Sequence, residues 1–237
     1  MHKPFQFKKF KIHQDRCAMK VGTDSVILGA WTSVSHNPFN VLDIGAGTGI
    51  LSLMIAQRSD AQQIEAIEID DDAYEQCVEN FEHSPWGDRL FCFHASLLEY
   101  IETVDEKFDL IICNPPFYSE DYKTPNKARN LARFSDAMPM EHIILAVANF
   151  LSDTGKFSIV LPYKEEKTFI EEASLIGLLP NRILRVKGNE SSLLKRSFIE
   201  FSFLKNESVI DELIIETERH QYTEEYINLT KDFYFKM

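Results

Sequence analysis

Short apolar runs alternate along the chain with longer stretches in which apolar residues recur every three or four positions. The runs at 40–44, 64–69, 90–94, 108–113, 157–161, 182–186 and 198–204 predict strands, and the periodic stretches at 50–58, 71–82, 97–103, 141–151 and 165–176 predict helices. Strands separated by helical crossovers must run parallel with helices on both faces, so the pattern predicts an α/β, doubly wound, mostly parallel sheet. The connection at 187–196 is short, polar and helix-poor, which predicts an antiparallel hairpin at the C-terminal end of the sheet. About 39 residues precede the first of these strands: an extended piece at 5–12 and a helix at 24–31 capped by Thr23. Residues 1–39 are expected to be an extension of the same domain as 40–237. Beyond the last strand, 213–216 reads as an extra strand and 224–229 as a short helix capped by Thr223.

Composition places this pattern in a folded chain. Of 237 residues, 44% are hydrophobic and 26% charged, which excludes the regime of intrinsic disorder. A net charge of −12 excludes a surface that is basic all over. Cys17, Cys77, Cys92 and Cys113 form no CxxC pair and have no His cluster beside them, so they read as free thiols rather than zinc ligands. Neither a metal site nor a membrane span is expected, and the chain reads as a cytoplasmic protein, a monomer or weak dimer.

The sharpest local signal is Val41-Leu42-Asp43-Ile44-Gly45-Ala46-Gly47-Thr48-Gly49-Ile50-Leu51, a buried strand running through three alternating glycines into a helix. Glycines let backbone approach a ligand closely, and the helix start offers unpaired N–H groups. A dinucleotide loop has its third glycine one position later, where this chain has Ile50. Asp43 is a poor neighbour for a pyrophosphate and a good one for an ammonium group. Glu68, with Ile69 after it, stands at the end of the second strand, where an acid accepts hydrogen bonds from ribose hydroxyls. A nucleoside carrying a cationic amine and no phosphate fits Asp43, Gly45, Ala46, Gly47, Thr48, Gly49, Glu68 and Ile69, and S-adenosyl-L-methionine is such a ligand.

Over about residues 40–204 the chain resembles the class I S-adenosylmethionine-dependent methyltransferases, which implies a Rossmann-like sheet of seven strands. Where that family often has an Asp after the third strand, this chain has His94-Ala95-Ser96. Ser96 reads either as a cofactor contact or as the cap of the helix at 97–103.

The fourth strand is followed by Asn114-Pro115-Pro116-Phe117, and Asn114, at the carboxyl edge, is expected to contact the cofactor as well as the acceptor. Two prolines fix the backbone, so the Asn114 amide and the Pro115 carbonyl converge on one place beside an aromatic ring. The exocyclic nitrogen of adenine is a poor nucleophile because its lone pair is delocalised into the ring. Accepting its hydrogens at Asn114 Oδ1 and the Pro115 carbonyl favours a pyramidal nitrogen, and Phe117 offers a stacking face. The element resembles the motif of methyltransferases that act on adenine N6 or on the side-chain amide of glutamine. Asp109 starts its strand and reads as structural.

Glutamine methyltransferases of the release-factor type carry a sizeable helical domain before this core, whereas about 39 residues precede it here. The segments Phe5-Gln6-Phe7-Lys8-Lys9-Phe10-Lys11-Ile12-His13-Gln14 and Lys20-Val21-Gly22-Thr23-Asp24-Ser25-Val26-Ile27-Leu28-Gly29-Ala30-Trp31, with Asn114 to Phe117, Ala132-Arg133 and Asp232-Phe233-Tyr234, resemble the bacterial tRNA1(Val) (adenine-37-N6)-methyltransferase family nearly end to end. That resemblance implies a tRNA substrate methylated at the adenine 3′ of the anticodon. Another RNA or DNA adenine, a protein glutamine, and a non-catalytic RNA-binding role for the same fold stay open at this point.

Charge is distributed in keeping with an RNA. Residues 1–20 carry a local +5, leaving −17 for the rest, while 123–133 and 182–196 are also basic. Lys8, Lys9, Lys11, Lys20, Lys127, Arg129, Arg133, Lys195 and Arg196 are the candidate phosphate contacts, with Phe5, Phe7 and Phe10 either a stacking surface or the inward side of an amphipathic strand. Residues 65–88 hold nine acids and no Lys or Arg, and read as a solvated face turned away from RNA.

Overall fold

The computed structural model describes residues 3–116 and 138–235. It opens on a hairpin of two short strands, β1 (Phe5–Gln6) and β2 (Lys11–Ile12), followed by helix α1 (Thr23–Trp31). Thr23 is the first helical residue rather than the cap; the cap is Gly22, which has no side chain to offer.

Next come β3 (Asn40–Ile44), α2 (Ile50–Arg58), β4 (Gln63–Glu68), α3 (Asp71–Glu82), β5 (Leu90–His94), α4 (Leu97–Thr103) and β6 (Phe108–Cys113). The second half holds α5 (Met140–Phe150), β7 (Leu151–Pro162), α6 (Glu166–Ser174), β8 (Leu179–Lys187), β9 (Arg196–Ser202), β10 (Val209–Ile214), a small hairpin β11 (Glu216–Glu218) and β12 (Gln221–Tyr222), and α7 (Glu224–Thr230). Thr223 caps α7 by accepting the Tyr226 N–H.

Strand order across the sheet is β5-β4-β3-β6-β7-β9-β8-β10. The five strands from β5 to β7 are parallel, β9 runs antiparallel to both its neighbours, and β10 lies parallel to β8 at the edge. The expected hairpin is present as β8 and β9, with the later strand on the inside. Eight strands replace the expected seven, because the apolar run near 213–216 begins at Val209 and joins the sheet, burying Leu213 while Val209 and Ile210 remain exposed.

Alternate residues of the central strands enter opposite cores. Val41, Leu110 and Ile112 pack with α1, α2 and α3 on one face, whereas Leu42, Ile111 and Cys113 pack with α4, α5 and α6 on the other. Burial on both faces is what makes these strands read as continuous apolar runs. α1 lies so close on α2 that a Cβ at Gly29 would stand 2.7 Å from Met54 Sδ.

The N-terminal hairpin is part of the first core. Phe7 is fully buried, stacked on Phe10 at 4.7 Å between ring centroids and on Tyr234 at 5.8 Å. The Lys8 N–H donates to the Phe233 carbonyl at 2.8 Å, and Phe7 pairs with Tyr234 as an isolated bridge. Phe7 and Phe10 are therefore core side chains and not a stacking surface for bases; Phe5 is half-buried against Phe7 and Tyr234. Lys8, Lys9 and Lys11 point outward, as an amphipathic strand requires. Phe7→Ala is expected to lower unfolding free energy by about 3–5 kcal/mol, as for other buried aromatics truncated in a packed core. Urea denaturation checks this, and a loss below about 1 kcal/mol would show that the hairpin is not part of the core.

Candidate active site

Register places the site. Ile44 pairs with both Ile67 and Cys113, and Glu68 pairs with His94, so β3, β4, β5 and β6 end at one level. The four segments leaving that edge carry Gly45–Gly49, Glu68–Asp70, Ala95–Ser96 and Asn114–Pro116. Open α/β sheets bind ligands at this carboxyl edge, where strand order reverses on either side of the first strand.

In the glycine loop, Gly45, Gly47 and Gly49 all have positive φ, at 74°, 55° and 76°. Gly47 and Gly49 serve different purposes. A Cβ at Gly47 would meet no atom within 4 Å, so the loop presents bare backbone to open space there. A Cβ at Gly49 would stand 2.5 Å from Phe81 Cε1 and 2.8 Å from Cys77 Sγ; that glycine admits α3 against the loop. Glu68 ties the loop to β4: Oε2 accepts the Gly47 N–H at 2.7 Å, and Oε1 accepts those of Ile69 and Asp70 at 2.9 and 3.0 Å.

Asp43 is fully buried behind the loop, and its carboxylate lines neither of the two cavities that open on this edge. Oδ2 accepts the Ser52 N–H at 3.0 Å and the Ser52 hydroxyl at 2.7 Å, while Oδ1 has no partner among the described residues. Burial pushes the carboxyl up to about 6, against the lowering effect of the two Ser52 hydrogen bonds.

Two adjoining cavities open on this edge. One, of about 490 Å³, lies between Glu68, Ile69 and Asp70 on one side and Ser96, Leu97, Leu98, Pro116 and His142 on the other. Its exposed apolar side chains, Ile69 and Leu98, beside the Glu68 carboxylate suit a nucleoside. Ser96 both lines it and caps α4, accepting the Glu99 N–H while Glu99 accepts that of Ser96. The other cavity, of about 410 Å³, is bounded by Lys20–Ser25, Gly45–Thr48, Pro115 and Arg196. Met19, Gly45, Gly47 and Asn114 line both, so Asn114 stands where the two meet.

Residues 13–21 form a shared wall, a strap laid over the loop. The buried Asn80 on α3 holds it: Oδ1 accepts the His13 N–H at 2.8 Å, and Nδ2 donates to the carbonyls of His13 and Thr48, each at 2.9 Å. Gln76 accepts the Arg16 N–H at 3.1 Å, and Arg16 pairs with Glu75 and Glu79. The acidic tract 65–88 is thus not one rear face, because Glu68 and Asp70 line the nucleoside-sized cavity and Glu75 and Glu79 anchor the strap. Burial also pushes the Cys17 thiol, which lines the same cavity, up to about 12, so it is no nucleophile at neutral pH.

Of the anticipated site residues, Gly45, Ala46, Gly47, Thr48, Glu68, Ile69, Ser96, Asn114, Pro115, Pro116, Lys20 and Arg196 line one cavity or both. Asp43, Gly49, Lys8, Lys9, Lys11 and Lys195 line neither; the first two are buried beneath the loop and the lysines lie on the outer surface. Phe117, Lys127, Arg129 and Arg133 fall outside the described residues. Asp109 is structural, accepting the N–H groups of Phe39 and Asn40 at the opposite edge. Sequence reasoning missed Asp24, Ser25, Asp70, Asn80 and His142 as site residues. Ser25 accepts a hydrogen bond from Asn114 Nδ2 at 2.8 Å, and Asp24 accepts one from Arg196 Nε at 2.8 Å. Among the described residues no group of three or more His, Cys, Asp or Glu could hold a metal ion, and no helix is long and apolar enough to cross a membrane.

The folded state holds the Asp43 proton to about pH 6, whereas an unfolded aspartate loses it near its ordinary value of 3.8. Ionising this group therefore costs stability as pH rises through that window, on the order of 3 kcal/mol in total, with no further loss above it. Urea denaturation between pH 4 and 7.5 is expected to show wild type losing stability relative to Asp43→Asn by that amount. A pH-independent difference would show that the carboxyl is not held protonated by burial.

A model of the methyltransferase small domain matches residues 32–173. The tRNA1(Val) (adenine(37)-N6)-methyltransferase of Flavobacterium johnsoniae is 59% identical over 234 residues, covering 98% of this chain and 100% of the relative. That of Christiangramia forsetii is 55% identical over 238 residues, covering 100% and 99%. Among solved structures, a predicted O-methyltransferase from Agrobacterium tumefaciens shares the fold with a TM-score of 0.64 at 17% identity, covering 89% of this chain and 96% of that one. The chain belongs to the tRNA1(Val) (adenine(37)-N6)-methyltransferase family, within the methyltransferase small-domain family.

Proposed function

We propose that this protein methylates the exocyclic N6 of adenine 37 in tRNA1(Val), with S-adenosylmethionine as the methyl donor. The observation that carries the reading is the position of Asn114-Pro115 at the junction between a nucleoside-sized cavity and a second cavity with Lys20 and Arg196 at its wall.

The residues present fit the donor. Gly47 leaves open space where a side chain would stand, Glu68 offers carboxylate oxygens for ribose hydroxyls, and Ile69, Leu97 and Leu98 provide apolar surface for a base. The ionised Asp43 beneath the loop favours a cation above it without touching it, and its unpartnered Oδ1 keeps that charge uncompensated. When bound, S-adenosylmethionine supplies an electrophilic methyl group on a sulfonium.

The chain's own residues prepare the acceptor. Asn114 Oδ1 and the Pro115 carbonyl each accept a hydrogen from the adenine amine, drawing the nitrogen lone pair out of conjugation. Pro115 and Pro116 hold those acceptors in place because their φ angles are fixed. By resemblance Phe117 stacks on the base. An adenine must leave the anticodon-loop stack to arrive there, at a cost of a few kcal/mol, offset by stacking worth about 1–3 kcal/mol. Lys20 and Arg196 meet the phosphates flanking the extruded nucleotide, while Lys127, Arg129 and Arg133 extend the contact by resemblance alone. After transfer the amine loses its proton to solvent, so no general base is required.

Transfer of radiolabelled methyl from S-adenosylmethionine to total tRNA, total protein and DNA, followed by nucleoside analysis, tests this. Label is expected in tRNA alone, as N6-methyladenosine at position 37. Label confined to protein or DNA, or to another nucleoside, would overturn the reading.

A further inference from the structure

We infer that Ser25, on the first turn of α1, is a positioning residue that sets the Asn114 carboxamide for catalysis. The inference rests on the proposed adenine-N6 transfer and deepens it, because it names a residue outside the Asn-Pro-Pro turn on which the acceptor depends.

A carboxamide has one acceptor and one donor end, nearly equal in shape, and only the acceptor end can take a hydrogen from an amine. Turned by half a rotation, Asn114 would set its own NH2 against the adenine NH2, donor against donor. In the structure Asn114 Nδ2 donates to Ser25 Oγ at 2.8 Å across 89 residues of sequence, and Oδ1 has no partner among the described residues. With its hydroxyl turned to accept, Ser25 holds the donor end and leaves the acceptor end to the cavity that both residues line.

Ser25 is suited to this by its place on the helix. It is the third helical residue after Gly22, a position from which a Glu or Gln side chain commonly turns back to the cap. Its hydroxyl instead bonds to the reaction turn. The residue is 9% exposed, so water competes poorly for the amide. Asp24 beside it accepts from Arg196 Nε, pinning the same turn of α1 to β9 and fixing the distance from Ser25 to the end of β6. Residues ahead of the glycine loop thus complete a site whose recognisable motif lies behind it.

Thr and Val have nearly the same shape and differ here by the hydroxyl, so the Ser25→Thr and Ser25→Val pair isolates the hydrogen bond from packing. For methyl transfer to a tRNA1(Val) transcript, Ser25→Thr is expected to keep kcat within about threefold of wild type. Ser25→Val is expected to lose kcat tenfold or more, with KM for tRNA and Kd for S-adenosylmethionine changed less than about twofold, because preorganised contacts act mainly in the transition state. Ser25→Ala, which removes the oxygen without added bulk, should match Ser25→Val. Independently of turnover, the Asn114 side-chain amide protons should exchange slowly with solvent in wild type and Ser25→Thr, and fast in Ser25→Ala. Equal kcat in the Thr and Val variants, a loss confined to KM or Kd, or unaltered amide exchange in Ser25→Ala would overturn the role. Failure of the wild-type protein to methylate tRNA would instead bring down the reading on which the role rests, and the role with it.

Discussion

The site depends on one constraint: the register of four parallel strands whose carboxyl ends reach the same level. Ile44 opposite Ile67 and Cys113, and Glu68 opposite His94, leave no freedom in where the glycine loop, the acid at the end of β4, Ser96 and Asn114 emerge. Leu110 and Ile112 fill one core while Ile111 and Cys113 fill the other, so a slip of one residue in β6 would exchange side chains between two close-packed cores, and the fit in both holds the register. The energy that folds the sheet and the geometry that aligns the chemistry are therefore the same apolar contacts.

Around that edge, buried and half-buried polar side chains convert packing into alignment. Glu68 holds the Gly47 backbone, Asn80 joins the strap to the Thr48 carbonyl, and Ser25 joins α1 to Asn114. Each bond crosses between segments distant in sequence, and each is shielded enough that losing one partner strands the other. Asp43 is the costly member, with one oxygen unpartnered and its carboxyl pushed up by burial. That cost is intelligible if a cation belongs above the loop.

The sheet was legible because its strands are buried on both faces: the boundaries expected at 40–44, 90–94 and 108–113 and the helices at 50–58, 71–82 and 97–103 agree with β3, β5, β6, α2, α3 and α4. Less legible was the C-terminal edge. β10 is mostly exposed, and with only Leu213 buried it carries no continuous apolar signal until it pairs with β8. In the site, glycines, Glu68 and Asn114 could be recognised because strand ends must present them. Ser25 and Asn80 could not, because what they do is set by tertiary contacts 89 and 67 residues away in sequence. For Asp43 the strand pattern identifies its place beside the loop, while its full burial follows from packing on both faces of the sheet. In the N-terminal segment the alternation of exposed Lys8, Lys9 and Lys11 with buried Phe7 and Phe10 is that of an amphipathic hairpin, whether or not a ligand meets the lysines.

In the proposed function Asn114, placed by register where the two cavities meet, serves the amine more than cofactor affinity. Isothermal calorimetry with S-adenosylmethionine, combined with single-turnover methyl transfer to tRNA1(Val), tests it most directly in the Asn114→Ala protein. Cofactor affinity is expected within about threefold of wild type and the transfer rate reduced at least 100-fold, the scale on which removing one preorganised contact acts. Retained transfer, or a loss explained by failure to bind S-adenosylmethionine, would contradict it.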